Sequence, residues 1–308
     1  MIMRHEAMFY ADDEDYLVGV REFIDGGLAA GDPVLVAVPA PRLQLIRRAL
    51  GAAASRVRLL DMARAGRNPG RIIPAVLHAF VSEHAGRWAR IIGEPIWPGR
   101  PADVYPRCVQ HEALINLALA DRRATILCPY DIAGLEPAAV ADAVRTHPFL
   151  VESGTRRASD GYTAPESVVA SFNRPLPEPS DPPAVLIFDT GELPAVRRFV
   201  VTIAELAGMR DERLDDLLVA VNELATNAVT HGLGPATLRV WRDGDGLVCE
   251  VRDGGQMTDV LAGRIPPAHH SEGGRGLMLV NLLSDAVHIH TLRTSTTVRF
   301  HMAVNGVG

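Results

Sequence analysis

The chain has 308 residues, 47% apolar and 22% charged, with 31 basic and 37 acidic side chains and a net charge of −6. Every basic residue is arginine. The absence of lysine excludes a Walker P-loop, the strand-lysine chemistry of eukaryotic-type protein kinases and Schiff-base catalysis.

Residues 1–172 carry 20 acids and 19 arginines, and residues 173–308 carry 17 acids and 12 arginines. Neither half has the basic excess of a phosphate-tracking protein, so no direct nucleic acid partner is expected. Three cysteines, Cys108, Cys128 and Cys249, are too few for a disulfide framework and fit a reducing compartment. The first ten residues lack the basic flank and apolar core of a signal peptide. No apolar run approaches the ~18 residues of a spanning helix. The expected location is cytoplasmic, without a membrane partner.

Two domains are expected at this length. In the first, buried-strand patterns at 34–38, 57–60, 89–92 and 125–128 alternate with helical patterns at 13–29, 42–50, 73–84, 107–120 and 137–146. Such alternation predicts an α/β domain with a mostly parallel sheet of about five strands and helices on both faces. Five prolines between 174 and 183 stop any helix and favour extended geometry. They mark a proline-rich linker at 173–184 between domains at 1–172 and 185–308.

Beyond the linker, a strand at 184–189 precedes helices at 194–207 and 212–230, the latter with Asp211 as N-cap and Gly232 past its end. A hairpin follows, 237–242 and 247–253 around Asp243-Gly244-Asp245-Gly246. A loop rich in Gly, Pro and His leads to a helix at 277–283 and strands at 286–292 and 297–304. Helices grouped beside antiparallel strands predict a two-layer α+β fold.

On the 212–230 helix, Leu214, Leu217, Leu218, Val221, Leu224 and Ala228 form a core stripe. Glu223, Asn227 and His231 fall at i, i+4 and i+8 and share another side. Alone, such a line is the ordinary solvated face of an amphipathic helix. Two glycine clusters change its weight. Asp253-Gly254-Gly255 ends a hairpin strand, and Gly273-Gly274-Arg275-Gly276-Leu277 opens a helix whose N-terminus can receive an anion such as phosphate.

In this order and spacing, residues 185–305 resemble the GHKL ATPase superfamily, and within it the anti-sigma-factor serine/threonine kinases. Glu223 through Asn227 to His231 is similar to the N box. Asp253-Gly254-Gly255 resembles the first glycine box, Gly274-Arg275-Gly276-Leu277 the second, and Ser295-Thr296-Thr297-Val298 the closing Gly-Thr-Thr-Val element. The resemblance implies a Bergerat-type ATP site using ATP and Mg²⁺. Asn227 would ligate Mg²⁺, Asp253 would accept from the adenine amino group, and Gly255, Gly274, Arg275, Gly276 and Thr296 would line the nucleotide. Glu223 would be the catalytic base toward a serine hydroxyl. His231 would contact phosphate or cap its helix. Implied partners are a sigma factor and a STAS-type anti-anti-sigma protein, with a homodimer as a family expectation. Met257, where the family often has another glycine, and the short lid at 257–272 leave a second reading: an ATP-binding partner-switching module without kinase activity.

His111-Glu112-Ala113-Leu114-Ile115-Asn116 is superficially similar to the phospho-acceptor box of a sensor histidine kinase. It lies in an alternating α/β region rather than on a helical stem, which argues against that reading. Residues 4–150 resemble the MEDS sensory domain through His5–Tyr10, Gly93–Gly99, Cys108–Glu112 and Leu127–Tyr130, implying a small-molecule signal. Cys108 and His111, even with Cys128, fall short of a four-ligand zinc site, so a buried cysteine and a satisfied helix histidine are expected. Trp97 is read as a packed loop anchor, with a ligand-pocket wall as the alternative.

Overall fold

The computed structural model describes residues 2–152, 154–266 and 274–305. The chain forms two compact units, Met1–Phe172 and Asn173–Gly308. All statements of number below concern the described residues.

In the first unit the strands are β1 (Arg4–Tyr10), β2 (Val34–Val38), β3 (Arg58–Asp61), β4 (Ala89–Gly93), β5 (Ala124–Asp131), β6 (Phe149–Glu152) and β7 (Thr155–Ala158). They form one sheet in the order β3-β2-β4-β5-β1-β6-β7. Every pairing is parallel except β6 with β7. The helices are α1 (Asp13–Ala30), α2 (Ala40–Leu50), α3 (Met62–Ala65), α4 (Ala79–Glu83), α5 (Tyr105–Ala118), α6 (Pro137–Thr146) and α7 (Pro165–Ser171).

Val34, Val36 and Val38 join residues of α1 and α2 in one core. Leu35 and Ala37, which alternate with them, are equally inaccessible, so this sheet is covered on both faces. The expected fold class is therefore found, but with seven strands rather than about five. The polar pair His5-Glu6 hid β1, and the exposed residues of β7 offered no apolar pattern. The expected 73–84 helix opens as a π-helical turn, Ile72–His78, before α4. Pro74 lies within that turn and supplies no backbone donor to the helical ladder.

The second unit holds β8 (Ala184–Phe188), α8 (Leu193–Leu206), α9 (Asp211–His231), β9 (Ala236–Asp243), β10 (Gly246–Asp253), α10 (Gly276–Leu283), β11 (Ala286–Leu292) and β12 (Ser295–Ala303). Its sheet runs β11-β12-β10-β9-β8, antiparallel throughout. The helices share one core with it, built around Val200, Leu217, Val221, Leu224, Val280 and Phe300. Each fully buried side chain of this kind contributes about 1.5–3 kcal/mol relative to exposure.

Asp211, expected at the N-cap, is instead the first residue of α9; Arg210 occupies the cap position and no side chain caps the helix. Gly232 ends α9 in extended rather than left-handed geometry, with φ −76°. The proline-rich stretch is tied into the second unit. Asn173 exchanges hydrogen bonds with Thr291, Arg299 Nη1 donates to Pro177 O at 2.9 Å, and Glu178 pairs with Arg239. No described helix is long and apolar enough to cross a membrane.

Candidate functional site

Packing of α9 sets its functional side. Leu224 and Ala228 are buried in the core, which leaves Glu223 and Asn227 half-buried on the adjoining side and His231 exposed at the helix end. Asn227 and His231 border a cleft of about 740 Å³, together with Asp253, Gly255, Gly274, Gly276 and Thr296.

The floor of the cleft is a fastened turn. Asp253 ends β10 opposite Thr296 of β12. Gly255 N donates to Asp253 Oδ1 at 2.7 Å. Thr296 Oγ1 donates to Gly255 O at 3.0 Å and accepts from Met257 N at 3.0 Å. Thr291 Oγ1 also accepts from Met257 N, at 3.2 Å. These bonds hold the turn against two strands and leave the aspartate in a defined pose. Burial raises the Asp253 carboxyl above the usual carboxylate range, partly offset by the Gly255 N–H and His231.

Two glycines are required by close approach. A Cβ on Gly255 would meet His231 O at 2.7 Å and Asp253 Oδ1 at 2.9 Å. A Cβ on Gly276 would meet Glu223 Oε2 at 2.6 Å and Asn227 Nδ2 at 3.1 Å. The start of α10 thus lies directly against the polar side of α9. Gly274, two residues earlier, has φ 88°, the left-handed region that favours glycine.

Not every expected residue lines this cleft. Glu223 borders a separate groove of about 300 Å³ with Arg197, Asp215 and Asn222. Arg275 is exposed at the N-cap of α10 and is not among the lining residues. Gly273 and the lid positions 267–272 lie outside the described residues; Met257, Ile265 and Pro266, from the described part of the lid, border the cleft.

The departures from the family pattern have a simple physical setting. Asp211 alone among described non-glycine residues has positive φ. Neither Met257 nor Ser295 therefore occupies a backbone conformation that demands glycine. The Met257 side chain packs against the core.

In the first unit, the box at 111–116 is inaccessible: His111 is 1% exposed and Glu112 and Asn116 are fully buried on α5. A histidine so enclosed cannot be presented to a nucleotide, which removes the support for a histidine autokinase. Trp97 is half-buried with the Arg100 guanidinium over its ring at 4.3 Å. Arg100 in turn donates to Pro95 O and Gly66 O, the arrangement of a loop anchor. Cys128 does not join Cys108 and His111. It meets His5, Glu112 and His147 in a fully buried group, which sequence spacing could not have signalled because the four lie on separate elements.

Two family models match separate stretches of the chain. Residues 4–148 match the family described as the methanogen/methylotroph DcmR sensory domain, MEDS. Residues 188–302 match the histidine kinase-like ATPase domain. The serine-protein kinase RsbW of Bacillus licheniformis is 33% identical over 109 residues, covering 30% of this chain and 68% of that protein.

A solved structure of RsbU and RsbW domains from Mycobacterium tuberculosis is 16% identical with a TM-score of 0.31, over 67% of this chain and 49% of that one. The Acinetobacter baumannii histidine kinase AdeS is 13% identical with a TM-score of 0.22, over 40% of this chain and 68% of that one. Neither structural likeness is close enough to bear on the site. The sequence matches, together with an α+β unit whose glycine turns close on an asparagine-bearing helix, show that the chain belongs to the anti-sigma-factor serine/threonine kinases of the GHKL superfamily, preceded by a MEDS domain.

Proposed function

We propose that the second unit binds Mg·ATP and transfers its γ-phosphoryl group to a serine or threonine of a STAS-type anti-anti-sigma partner, while also holding a sigma factor. The observation that carries this reading is the approach of Gly276 to Glu223 and Asn227, which brings the N-terminus of α10 onto the polar side of α9. A helix N-terminus with no side-chain cap offers unpaired amides and a positive dipole end to phosphate oxygens.

The residues present fit the nucleotide and its cation. The cleft is roomy, and Gly255 and Gly276 leave cradles that a Cβ would fill. Asn227 Nδ2 faces Gly276, which leaves Oδ1 free to hold a hard cation; Mg²⁺ held there would supply positive charge to offset that of the phosphates. Asp253, held by Gly255 N–H, accepts from the adenine amino group. Thr296 fixes the turn that carries it. His231 stands at the Asp253 end of the cleft, its backbone carbonyl against Gly255, and Arg275 reaches the nucleotide only from the rim.

Glu223 takes the proton of the partner's hydroxyl as its oxygen bonds to the γ-phosphorus and the bond to the ADP oxygen breaks. Its place beside the cleft, in a groove open to a second molecule, suits a base that meets an incoming protein rather than the nucleotide. The reading without phosphotransfer rested on Met257, and the backbone there has no need of glycine. Val185 and Ile187, 54% and 64% exposed on the edge strand β8, support a homodimer through this unit. The first unit would carry the response to a small-molecule signal, and the whole would act in the cytoplasm.

Two variants separate the roles. Glu223→Ala should bind Mg·ATP normally and lose transfer to the partner; Asn227→Ala should lose magnesium-dependent ATP binding. Normal transfer by Glu223→Ala would show the base assignment to be wrong.

A further inference from the structure

His5 on β1, Glu112 on α5, Cys128 on β5 and His147 just beyond α6 are each at most 1% exposed. Their donor atoms all lie within 4.8 Å of one another. Glu112 Oε2 is 3.0 Å from His5 Nε2, 3.3 Å from His147 Nε2 and 3.3 Å from Cys128 Sγ. Cys128 Sγ is 3.4 Å from His5 Nε2. Four ligands bound tetrahedrally at about 2.0–2.3 Å stand roughly 3.3–3.8 Å apart. The four observed spacings, 3.0–3.4 Å, are close to that range, and the other pairs lie within 4.8 Å.

Surrounding hydrogen bonds fix both imidazoles. Asn116 Nδ2 donates to Thr146 O at 2.8 Å and to Ala113 O at 3.2 Å. Its Oδ1 is thereby left as an acceptor, and His5 Nδ1, 3.2 Å away, is the donor. His147 Nδ1 lies 2.9 Å from Ala143 O, a carbonyl that can only accept, so it also carries its proton. With both rings neutral, each Nε2 lone pair is turned toward Glu112 Oε2. His147 Nε2 and Glu112 Oε1 make no hydrogen bond. Electron pairs held this close in a dry interior repel unless a proton or a metal cation lies between them.

We propose that the first unit binds one zinc-type divalent transition ion through His5 Nε2, Glu112 Oε2, Cys128 Sγ and His147 Nε2. Two imidazoles, a thiolate and a carboxylate form a borderline-to-soft set that favours zinc over magnesium or calcium. As the metal–sulfur bond forms, the Cys128 thiol releases its proton to solvent. The carboxylate and thiolate then balance the ion's two charges, so the buried group is neutral. The Nδ1–H bonds to Asn116 and Ala143 are the outer contacts that orient metal-bound imidazoles. The ion would join β1, β5, α5 and the end of α6, elements drawn from the length of the unit.

The test uses full-length protein, stripped with chelator and titrated with Co²⁺ in the absence of nucleotide. One equivalent should bind, with the strong visible bands of tetrahedral cobalt and a thiolate-to-cobalt charge-transfer band, and Zn²⁺ should displace it. Cys128→Ser should abolish the charge-transfer band and weaken binding at least tenfold, while Cys108→Ser, a buried thiol outside the group, leaves both unchanged. If Cys128→Ser does not fold, His147→Gln is read by the same tenfold loss. Absence of stoichiometric binding, a weak octahedral spectrum, or a charge-transfer band that survives in Cys128→Ser would overturn the proposal.

Discussion

Replacing Gly276 with alanine probes the contact on which the phosphotransfer reading stands. The new Cβ would fall 2.6 Å from Glu223 Oε2, so the carboxylate must retreat by about 0.8 Å to regain an ordinary contact of 3.4 Å. Alanine in place of glycine in a helix gains up to about 1 kcal/mol. Overpacking costs about 1–3 kcal/mol, here toward the low end because the atom displaced ends a flexible side chain. Stability should therefore change by no more than about 1 kcal/mol, a few degrees in melting temperature. Transfer should suffer far more: a reacting group misplaced by close to 1 Å can lose roughly 100-fold in rate. The assay is partner phosphorylation at saturating ATP, beside calorimetric ATP affinity and a thermal melt. Wild-type transfer with unchanged ATP affinity would refute the placement of Glu223 at the reacting hydroxyl.

Asp253→Asn keeps the bond from Gly255 N but removes the charged acceptor, and ATP affinity should fall about 10- to 100-fold by calorimetry. Unchanged affinity would take the adenine contact elsewhere. Thr296→Val strands Gly255 O and one acceptor of Met257 N, which should cost about 1–3 kcal/mol of stability and weaken ATP binding as well; a neutral melt would contradict this. Glu94 follows β4 and its carboxyl is pushed up to about 8, chiefly by burial, with Arg42 and the Tyr10 hydroxyl opposing. Because the folded form holds the proton more tightly, its contribution is fully present below the unfolded value of 4.5 and is lost as pH rises through about 8. Glu94→Gln should flatten the stability profile over that window and stabilise the protein at pH ~9 by a few kcal/mol. Denaturant midpoints across pH decide it, and an unaltered slope would sink the assignment.

What could be read ahead of the structure followed periodicity. The two faces of α9 are written at 3–4 residue spacing, and the buried face, Leu217 through Ala228, is the core face observed. The order of the glycine turns behind α9 was equally legible, because each turn is local. The hairpin before Asp253 was visible in its turn residues, and it places Asp253 across from Thr296. Features made by tertiary approach were not legible. Nothing in the sequence says that Gly276 comes to rest on Glu223, or that Glu223 faces a separate groove from Asn227. The first unit was harder still. His5 and Glu6 interrupt the apolar pattern of a buried strand, and the donors that meet His5 arrive from α5, β5 and the end of α6. The proline stretch read as a spacer, yet Arg299 and Arg239 bind it along the second sheet.

Phosphate transfer itself is the most direct test of the account. The full chain, incubated with γ-labelled ATP, Mg²⁺ and a STAS-type partner, should place acid-stable label on a serine or threonine of that partner, and Glu223→Ala should place none. Acid-labile label on the chain itself, or bound ATP without any labelled protein, would contradict it.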